Sequence, residues 1–350
     1  MGSVSNDICA ENGAMNESSG GNMCGKKKIE WLSVLQGFSM LLVVIGHVSL
    51  TNIPRDPNTP IASELERIIY SFHMPLFIFI SGWLFYFTCI RKEKTYAEVI
   101  KAKIKRLGLP FLAFTMLALA LKLVFPSLMN RPVTTQELID TFLFFRSNPL
   151  GEMWFIVVLL VLMMLYPLYC YVVKSKWLVA FVAWAFSIIV CVCPTSLTYF
   201  QLNRVCHMAP FFVAGILCCR YGWHKWLENF RALGISFFMF LLWNIMRLMF
   251  DPMGLFSVTA GIVFSFSLCL NLAKRWPSLF RSFRDYTFQI FLMGIFFQMV
   301  VRWVYVRMGC DWMFVPFWLL SVVIGVFVPV AIAKLVEKKA PNFIRLCMGL

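Results

Sequence analysis

Two apolar stretches near the N-terminal end decide the fold class. Residues 31–50 read WLSVLQGFSMLLVVIGHVSL and residues 68–88 read IIYSFHMPLFIFISGWLFYFT. A helix needs roughly 20 apolar residues to cross a bilayer, and each of these stretches has that length. The only charged or imidazole side chains within them are His47 and His73. The sequence therefore predicts an integral membrane protein with polar groups inside its first two spans.

The same apolar pattern continues along nearly the whole chain. Of its 350 residues, 60% are hydrophobic and only 14% are charged, whereas an ordinary soluble domain has about a quarter of its residues charged. The mean hydropathy is +0.76. We predict an all-α, polytopic membrane bundle of about ten transmembrane helices. The further spans are expected near residues 107–125, 153–173, 177–193, 205–219, 233–250, 255–273, 286–305 and 312–333.

The net charge of +15 is distributed in a way that predicts the topology. With both termini in the cytoplasm, 23 of the 32 Lys and Arg residues fall in the tails, inner loops and inner helix ends, as the positive-inside rule requires. We therefore expect a multi-pass protein of the inner membrane, with lipids and not nucleic acid as its surroundings. Residues 1–28 are predicted to be a disordered cytoplasmic tail, residues 29–336 the transmembrane domain, and residues 337–350 a cytoplasmic C-terminal tail.

The twelve cysteines do not suggest a metal site or a disulfide framework. Most stand alone within apolar segments and lack the paired spacing of zinc ligands. We interpret them as small packing residues, and no metal is expected.

His47 and His73 are the first candidate functional residues. Gln36, Met40, Val43 and His47 share one face of the first span. The second span runs in the opposite direction, so His73 is expected at the same depth as His47. Ionisable groups in a bilayer usually face a bundle interior or a cavity. Alternatively, His47 is satisfied by a neighbouring helix, and His73 caps the kink that Pro75 permits.

Further polar residues are predicted in the same outer half of the bundle. Each of them taken alone fits an interfacial anchor, whereas together they suggest a polar cavity for an acceptor that carries a hydroxyl group. These residues are Glu152, Trp154, Arg204, His207, Asn244 and Arg247.

A basic cluster enters the third span from the opposite side. It comprises Lys101, Lys103, Lys105 and Arg106. The positive-inside rule alone explains such a cluster. Alternatively, these side chains bind the phosphates of coenzyme A through charge-assisted hydrogen bonds.

At these residues the chain resembles the acyltransferase 3 family of membrane O-acyltransferases, most closely its fucose 4-O-acetylase-like branch. The first-span block ends in Gly46-His47, and the second, FHMPLFIFISG at residues 72–82, is the most specific match. The segment from Lys103 to Arg106 resembles the family's Arg-x-x-Arg element, with Lys in the first position. Weaker blocks lie at residues 153–155, 211–215 and 286–292.

The resemblance implies transfer of an acyl group, such as acetyl from acetyl-CoA, to a hydroxyl of a sugar, glycolipid or surface glycan. His47 would act as general base or transient acyl acceptor. His73 would orient the reacting groups, and Lys103 and Arg106 would hold the donor phosphates. No tightly bound cofactor is expected.

Two positions depart from the family pattern. Gln36 stands where the first motif has Arg or Lys, and Gly294 stands where the ninth-span block usually has histidine. Gln36 would then donate a hydrogen bond along the donor path in place of a fixed charge. These departures leave a second hypothesis open, namely a transporter or export component that keeps the architecture without the chemistry.

Overall fold

A computed structural model describes residues 29–48, 60–124, 134–146, 148–193, 196–249 and 254–350. The predicted N-terminal tail therefore lies outside the described residues. Within the described ranges all regular secondary structure is helical, as predicted. The α-helices are α1 Glu30–Gly46, α2 Pro60–Phe85, α3 Tyr96–Lys103, α4 Leu109–Val124, α5 Thr135–Phe142, α6 Trp154–Met164, α7 Tyr166–Lys174, α8 Trp177–Val192, α9 Leu202–Tyr221, α10 Phe230–Met249, α11 Gly254–Arg275, α12 Thr287–Met308, α13 Phe314–Lys339 and α14 Asn342–Cys347.

Six helical segments in the described part are long and apolar enough to cross a membrane. They are Glu66–Ile90, Tyr96–Val124, Tyr199–Tyr221, Gly254–Arg275, Arg284–Met308 and Phe314–Lys339. Three shorter apolar helices, Glu30–Gly46, Trp177–Val192 and Phe230–Met246, coincide with predicted spans. The chain is thus a multi-pass helical membrane protein, whereas the count of about ten spans and the cytoplasmic position of both termini stay predictions.

The predicted fourth span is bent. Gly151–Met164 and Tyr166–Lys174 meet at an angle of 52° and make a seventh candidate span only when they are taken together. Pro167 stands in the first turn of α7, where its missing N–H cannot continue the hydrogen-bonding ladder of α6.

One end of the bundle is tied together by basic side chains, and we call it the basic end. The Nη2 atom of Arg284 lies 2.6 Å from Oε2 of Glu30, which joins the start of α12 to the start of α1. Arg220, at the end of α9, donates hydrogen bonds to the carbonyls of Val172 and Ser175 at the end of α7. These contacts join α12 to α1 and α9 to α7 at this end of the bundle.

The opposite end carries His47 and His73, and we call it the histidine end. Nε2 of His47 lies 3.6 Å from Oε1 of Glu152, so the end of α1 faces the start of α6. Lys122 at the end of α4 and Glu137 in α5 form an ion pair of 2.6 Å. His47 and His73 thus lie at the end of the bundle opposite Arg220 and Arg284, as the sequence predicts.

Two glycines let α2 and α9 pack backbone to backbone. A Cβ atom at Gly82 would collide with the carbonyl oxygen of Phe212, and one at Gly215 would collide with that of Phe79. Small residues at helix interfaces are a common means of close packing in membranes. This contact fixes the position of α2, which carries His73.

Candidate functional site

A cavity of about 460 Å³ opens at the histidine end. It is formed between α1, α2, α6 and α9, and side chains from each of them line it: His47, His73, Glu152, Trp154 and His207. The structure thus brings five of the residues singled out in the sequence to one place.

His47 stands at the end of α1 with a fixed orientation. Its Nδ1 lies 2.8 Å from the carbonyl oxygen of Val43. Because a carbonyl oxygen only accepts hydrogen bonds, Nδ1 carries the proton and Nε2 of the neutral ring keeps its lone pair. Nε2 points to Glu152, with 3.6 Å to Oε1.

His73 is held in the same way on α2. Its Nδ1 lies 2.8 Å from the carbonyl oxygen of Ile69, and its ring centre lies 5.7 Å from that of His47. The side chain is only 1% exposed. Among the described residues, its Nε2 has no hydrogen-bond partner, and leaving a buried polar atom unpaired is costly. This nitrogen is therefore suited to accept a hydrogen bond from a bound substrate.

Tyr70 and Ser71 belong to the cavity as well, although neither stands out in the sequence. The Tyr70 ring centre lies 5.4 Å from that of His47 and 5.0 Å from that of His73. The signal for Tyr70 is its position three residues before His73, on the same helix face. For Ser71, the signal is Pro75, whose missing N–H leaves the Ser71 carbonyl without its usual helical donor.

Trp154, which lines the cavity, is in contact with Arg204. The Arg204 guanidinium lies 4.6 Å from the centre of the Trp154 ring, within the range of a cation–π contact. Only Trp154 of this pair lines the cavity. Nearby, Nδ1 of His207 lies 3.8 Å from Sγ of Cys191.

The structure does not bring Asn244 to this cavity. Its Nδ2 donates to the carbonyl of Phe240 at 2.7 Å, and its Oδ1 accepts from Ser257 at 3.4 Å. These contacts are typical of packing between α10 and α11. The side chain of Arg247 lies outside the described part.

A second cavity, of about 270 Å³, lies toward the basic end. Gln36, Thr88, Lys103 and Arg106 line it, so the structure brings together three residues predicted for the donor path. Nζ of Lys103 also lies 5.4 Å from the centre of the Phe85 ring, a cation–π contact.

A π-helical turn orients the two basic side chains of this cavity. Ile104–Gly108 is π-helical and joins α3 to α4, and such turns often occur at functional sites. Lys103 and Arg106 line the cavity, whereas Lys101 and Lys105 do not, although Arg106 is as exposed to solvent as those two. The basic cluster therefore divides into a pair that lines the cavity and a pair that does not.

Among the described residues, Met74 is common to the linings of the two cavities. Along α1, Gln36, Met40 and Val43 line the second cavity and His47 lines the first, so the predicted helix face forms a wall of both. Eleven residues of helix separate Gln36 from His47, about 16 Å at 1.5 Å per residue. The two cavities thus lie one after the other along this face.

The two departures from the family pattern have different locations. Gln36 lies in the second cavity with Lys103 and Arg106, so positive charge is present there without an arginine at position 36. Gly294 lines neither cavity. A Cβ atom there would lie 3.0 Å from the carbonyl oxygen of Gly325, so this glycine serves the close packing of α12 on α13.

Comparison with known proteins shows the family of the chain. The family described as "Acyltransferase domain" matches residues 29–334. Nodulation protein NolL of Sinorhizobium fredii (strain NBRC 101917 / NGR234) is 28% identical over 219 residues, which cover 60% of this chain and 56% of that protein.

Nodulation protein NolL of Mesorhizobium japonicum (strain LMG 29417 / CECT 9101 / MAFF 303099) is 27% identical over 220 residues, 60% of this chain and 55% of that protein. The chain thus matches little more than half the length of these curated relatives. No solved structure matches the chain significantly.

Proposed function

The chain belongs to the acyltransferase family whose domain matches residues 29–334, and from this premise we propose that it transfers an acyl group from acyl-CoA to a hydroxyl. The proposed acceptor is a sugar, a glycolipid or a surface glycan, and the proposed location is the inner membrane. One observation carries the proposal: an oriented His47, 3.6 Å from Glu152, faces a cavity that His73 and His207 also line, and the neighbouring cavity toward the other end of the bundle is lined by Lys103 and Arg106.

Lys103 and Arg106 hold the donor in this scheme. Both line the cavity toward the basic end, where cationic side chains form strong charge-assisted hydrogen bonds with phosphate oxygens. The thioester arm then extends along the α1 face formed by Met40 and Val43. Gln36 donates a hydrogen bond to a carbonyl group of the arm.

The acceptor enters the larger cavity at the histidine end. Trp154 offers a flat aromatic surface to a sugar ring, and Tyr70 and His207 offer polar groups at the wall. The unpaired Nε2 of His73 accepts a hydrogen bond from the acceptor and so orients it toward His47.

In the proposed reaction, Nε2 of His47 takes the proton of the acceptor hydroxyl as its oxygen attacks the thioester carbonyl carbon. A new carbon–oxygen bond forms and the carbon–sulfur bond breaks. The proton then passes from His47 to the departing thiolate, so that the products are an ester and free coenzyme A. Glu152, 3.6 Å from His47, stabilises the charged imidazole between the two proton transfers.

A covalent route uses the same residues. There Nε2 of His47 itself attacks the carbonyl carbon, coenzyme A leaves, and the acyl-imidazole is then attacked by the hydroxyl. To separate the two routes, purified protein is incubated with radiolabelled acetyl-CoA in the absence of acceptor, and the reaction is then quenched with acid. Label retained on the protein supports the covalent route, and its absence supports direct transfer.

Thioester turnover tests the proposed function against a non-catalytic transporter. Purified protein in detergent is incubated with acetyl-CoA and a delipidated glycan extract of its own host, and free thiol is measured. We expect thiol release that depends on the extract. A transporter without chemistry releases no thiol under any of these conditions, and that result would overturn the proposal.

A further inference from the structure

Among the described residues, Met74 alone lines both cavities. Its side chain is only 8% exposed, so it is packed inside the bundle. We call the cavity at the histidine end the histidine cavity and the cavity toward the basic end the donor cavity. On α2, the preceding residue His73 and the following Pro75 line the histidine cavity, whereas Phe77 and Ile80 line the donor cavity. Met74 therefore stands where the wall of one cavity becomes the wall of the other.

The acyl group of the donor has to reach this point for the proposed reaction to occur. Its carbonyl carbon must come within bonding reach of a hydroxyl near Nε2 of His47, while the phosphates stay near Lys103 and Arg106. The α1 face between these sites is lined by the apolar Met40 and Val43. In the proposed reaction the thioester carbonyl is then held beside Met74, which lines both cavities, so that the carbons beyond the carbonyl pack against this side chain.

We propose that the Met74 side chain closes this junction and limits the acyl group to a short chain, such as acetyl. The inference rests on the proposed function and adds its donor specificity. Methionine is unbranched with three rotatable bonds, so it can move aside for a small group while it fills the remaining space. A longer acyl chain needs the volume that the Cγ, Sδ and Cε atoms of Met74 occupy.

Donor binding in the absence of acceptor tests the proposal. Purified full-length protein in detergent is titrated with acetyl-CoA, butyryl-CoA and hexanoyl-CoA, and Kd is measured by calorimetry. We expect wild type to bind acetyl-CoA at least about tenfold more tightly than hexanoyl-CoA, since one methylene in a confined apolar pocket already changes discrimination by about tenfold or more. Met74→Ala should shift the ratio of the two Kd values toward hexanoyl-CoA by at least about tenfold.

Met163→Ala is the matched control. Met163 is also buried, at 5% exposure, and it lines only the donor cavity. Its truncation creates space of the same size away from the junction and should leave the ratio of Kd values at its wild-type level. If Met74→Ala does not remain monodisperse in detergent, Met74→Val provides the test with a smaller expected shift in the same direction.

The outcomes separate this inference from the function on which it rests. Wild-type protein that binds no acyl-CoA would overturn the proposed function. A wild type that binds acetyl-CoA and hexanoyl-CoA equally would overturn the role of Met74 alone. An unchanged ratio in the Met74 variants, or an equal shift in Met163→Ala, would do the same.

Discussion

At the scale of single residues, the basic cluster of α3 offers an internal comparison. Lys103 and Arg106 line the proposed donor cavity, whereas Lys101 and Lys105 in the same segment do not. All four carry the same charge and lie at the same end of the bundle. The proposal therefore requires that the two pairs contribute differently to donor binding, by position and not by charge alone.

Replacement of the pair that lines the cavity should weaken donor binding. In Lys103→Ala with Arg106→Ala, we expect the Kd for acetyl-CoA to rise tenfold or more. Each charged contact is worth about 1.5 to 3 kcal/mol, and about 1.4 kcal/mol corresponds to one decade. Calorimetric titration of purified protein measures this change.

Lys101→Ala with Lys105→Ala removes the same number of charges from the surface and serves as the control. Its Kd for acetyl-CoA should stay within about threefold of wild type, since screened surface charges contribute little. Equal weakening in both double variants would contradict a specific phosphate site at Lys103 and Arg106.

The sequence predicted some of these residues because their type is costly in a membrane. His47, His73 and Glu152 stand out on that ground, and the structure places them together. Tyr70 and Met74 do not stand out, since tyrosine and methionine are ordinary residues of membrane helices. Their position at the cavity depends on how α2 is rotated against α1 and α6, which no local pattern specifies.

At the scale of secondary-structure elements, the contact of α2 with α9 holds the site in place. Gly82 and Gly215 allow these helices to approach so closely that a Cβ atom at either position would meet a backbone carbonyl. Because backbone atoms cannot move aside as a side-chain end can, any substitution there must separate the helices. That movement would displace His73 and Met74.

Gly215→Ala should therefore destabilise the protein by about 1 to 3 kcal/mol, the usual cost of overpacking. Thermal unfolding in detergent, followed by tryptophan fluorescence, measures the loss. Gly234→Ala, on α10, is the control because a Cβ atom there meets nothing within 4 Å. An unfolding temperature for Gly215→Ala equal to that of Gly234→Ala would contradict the tight contact.

Helix positions were predictable from apolar runs, whereas helix shape was not. The predicted span at residues 153–173 is divided at Leu165, with a bend of 52° between its two parts. Hydropathy averages over about 20 residues and does not register one missing N–H, although Pro167 marks the place. The π-helical turns Tyr86–Ile90 and Ile104–Gly108 are equally invisible to such averages.

At the scale of the whole molecule, the proposed direction of transfer requires the basic end to face the cytoplasm. Of the 32 Lys and Arg residues, 23 are assigned to that side by the sequence. The proposed donor cavity lies toward the same end. The predicted topology and the proposed donor site therefore require the same orientation.

Labelling of single cysteines tests this orientation. Lys94 lies at the basic end in an exposed position, and Trp312, which is 79% exposed, lies between α12 and α13 at the histidine end. In a cysteine-free background, Trp312→Cys should react with an impermeant thiol reagent added to intact spheroplasts, and Lys94→Cys should react only after lysis. The reverse pattern would contradict the proposed entry of the donor from the cytoplasm.

The central claim is that Nε2 of His47 carries the proton during acyl transfer. Its direct test uses membranes from a deletion strain that contain wild-type protein or His47→Gln in equal amounts. Radiolabelled acetyl-CoA is added, and alkali-labile label in glycan is measured.

We expect His47→Gln to lower the rate of labelling by about 10² to 10⁴-fold, the usual contribution of positioned acid–base catalysis, because an amide cannot take up a proton at neutral pH. The Kd for acetyl-CoA should stay near its wild-type value, because the phosphate-binding residues are unchanged. Labelling by His47→Gln within about threefold of wild type would contradict the account.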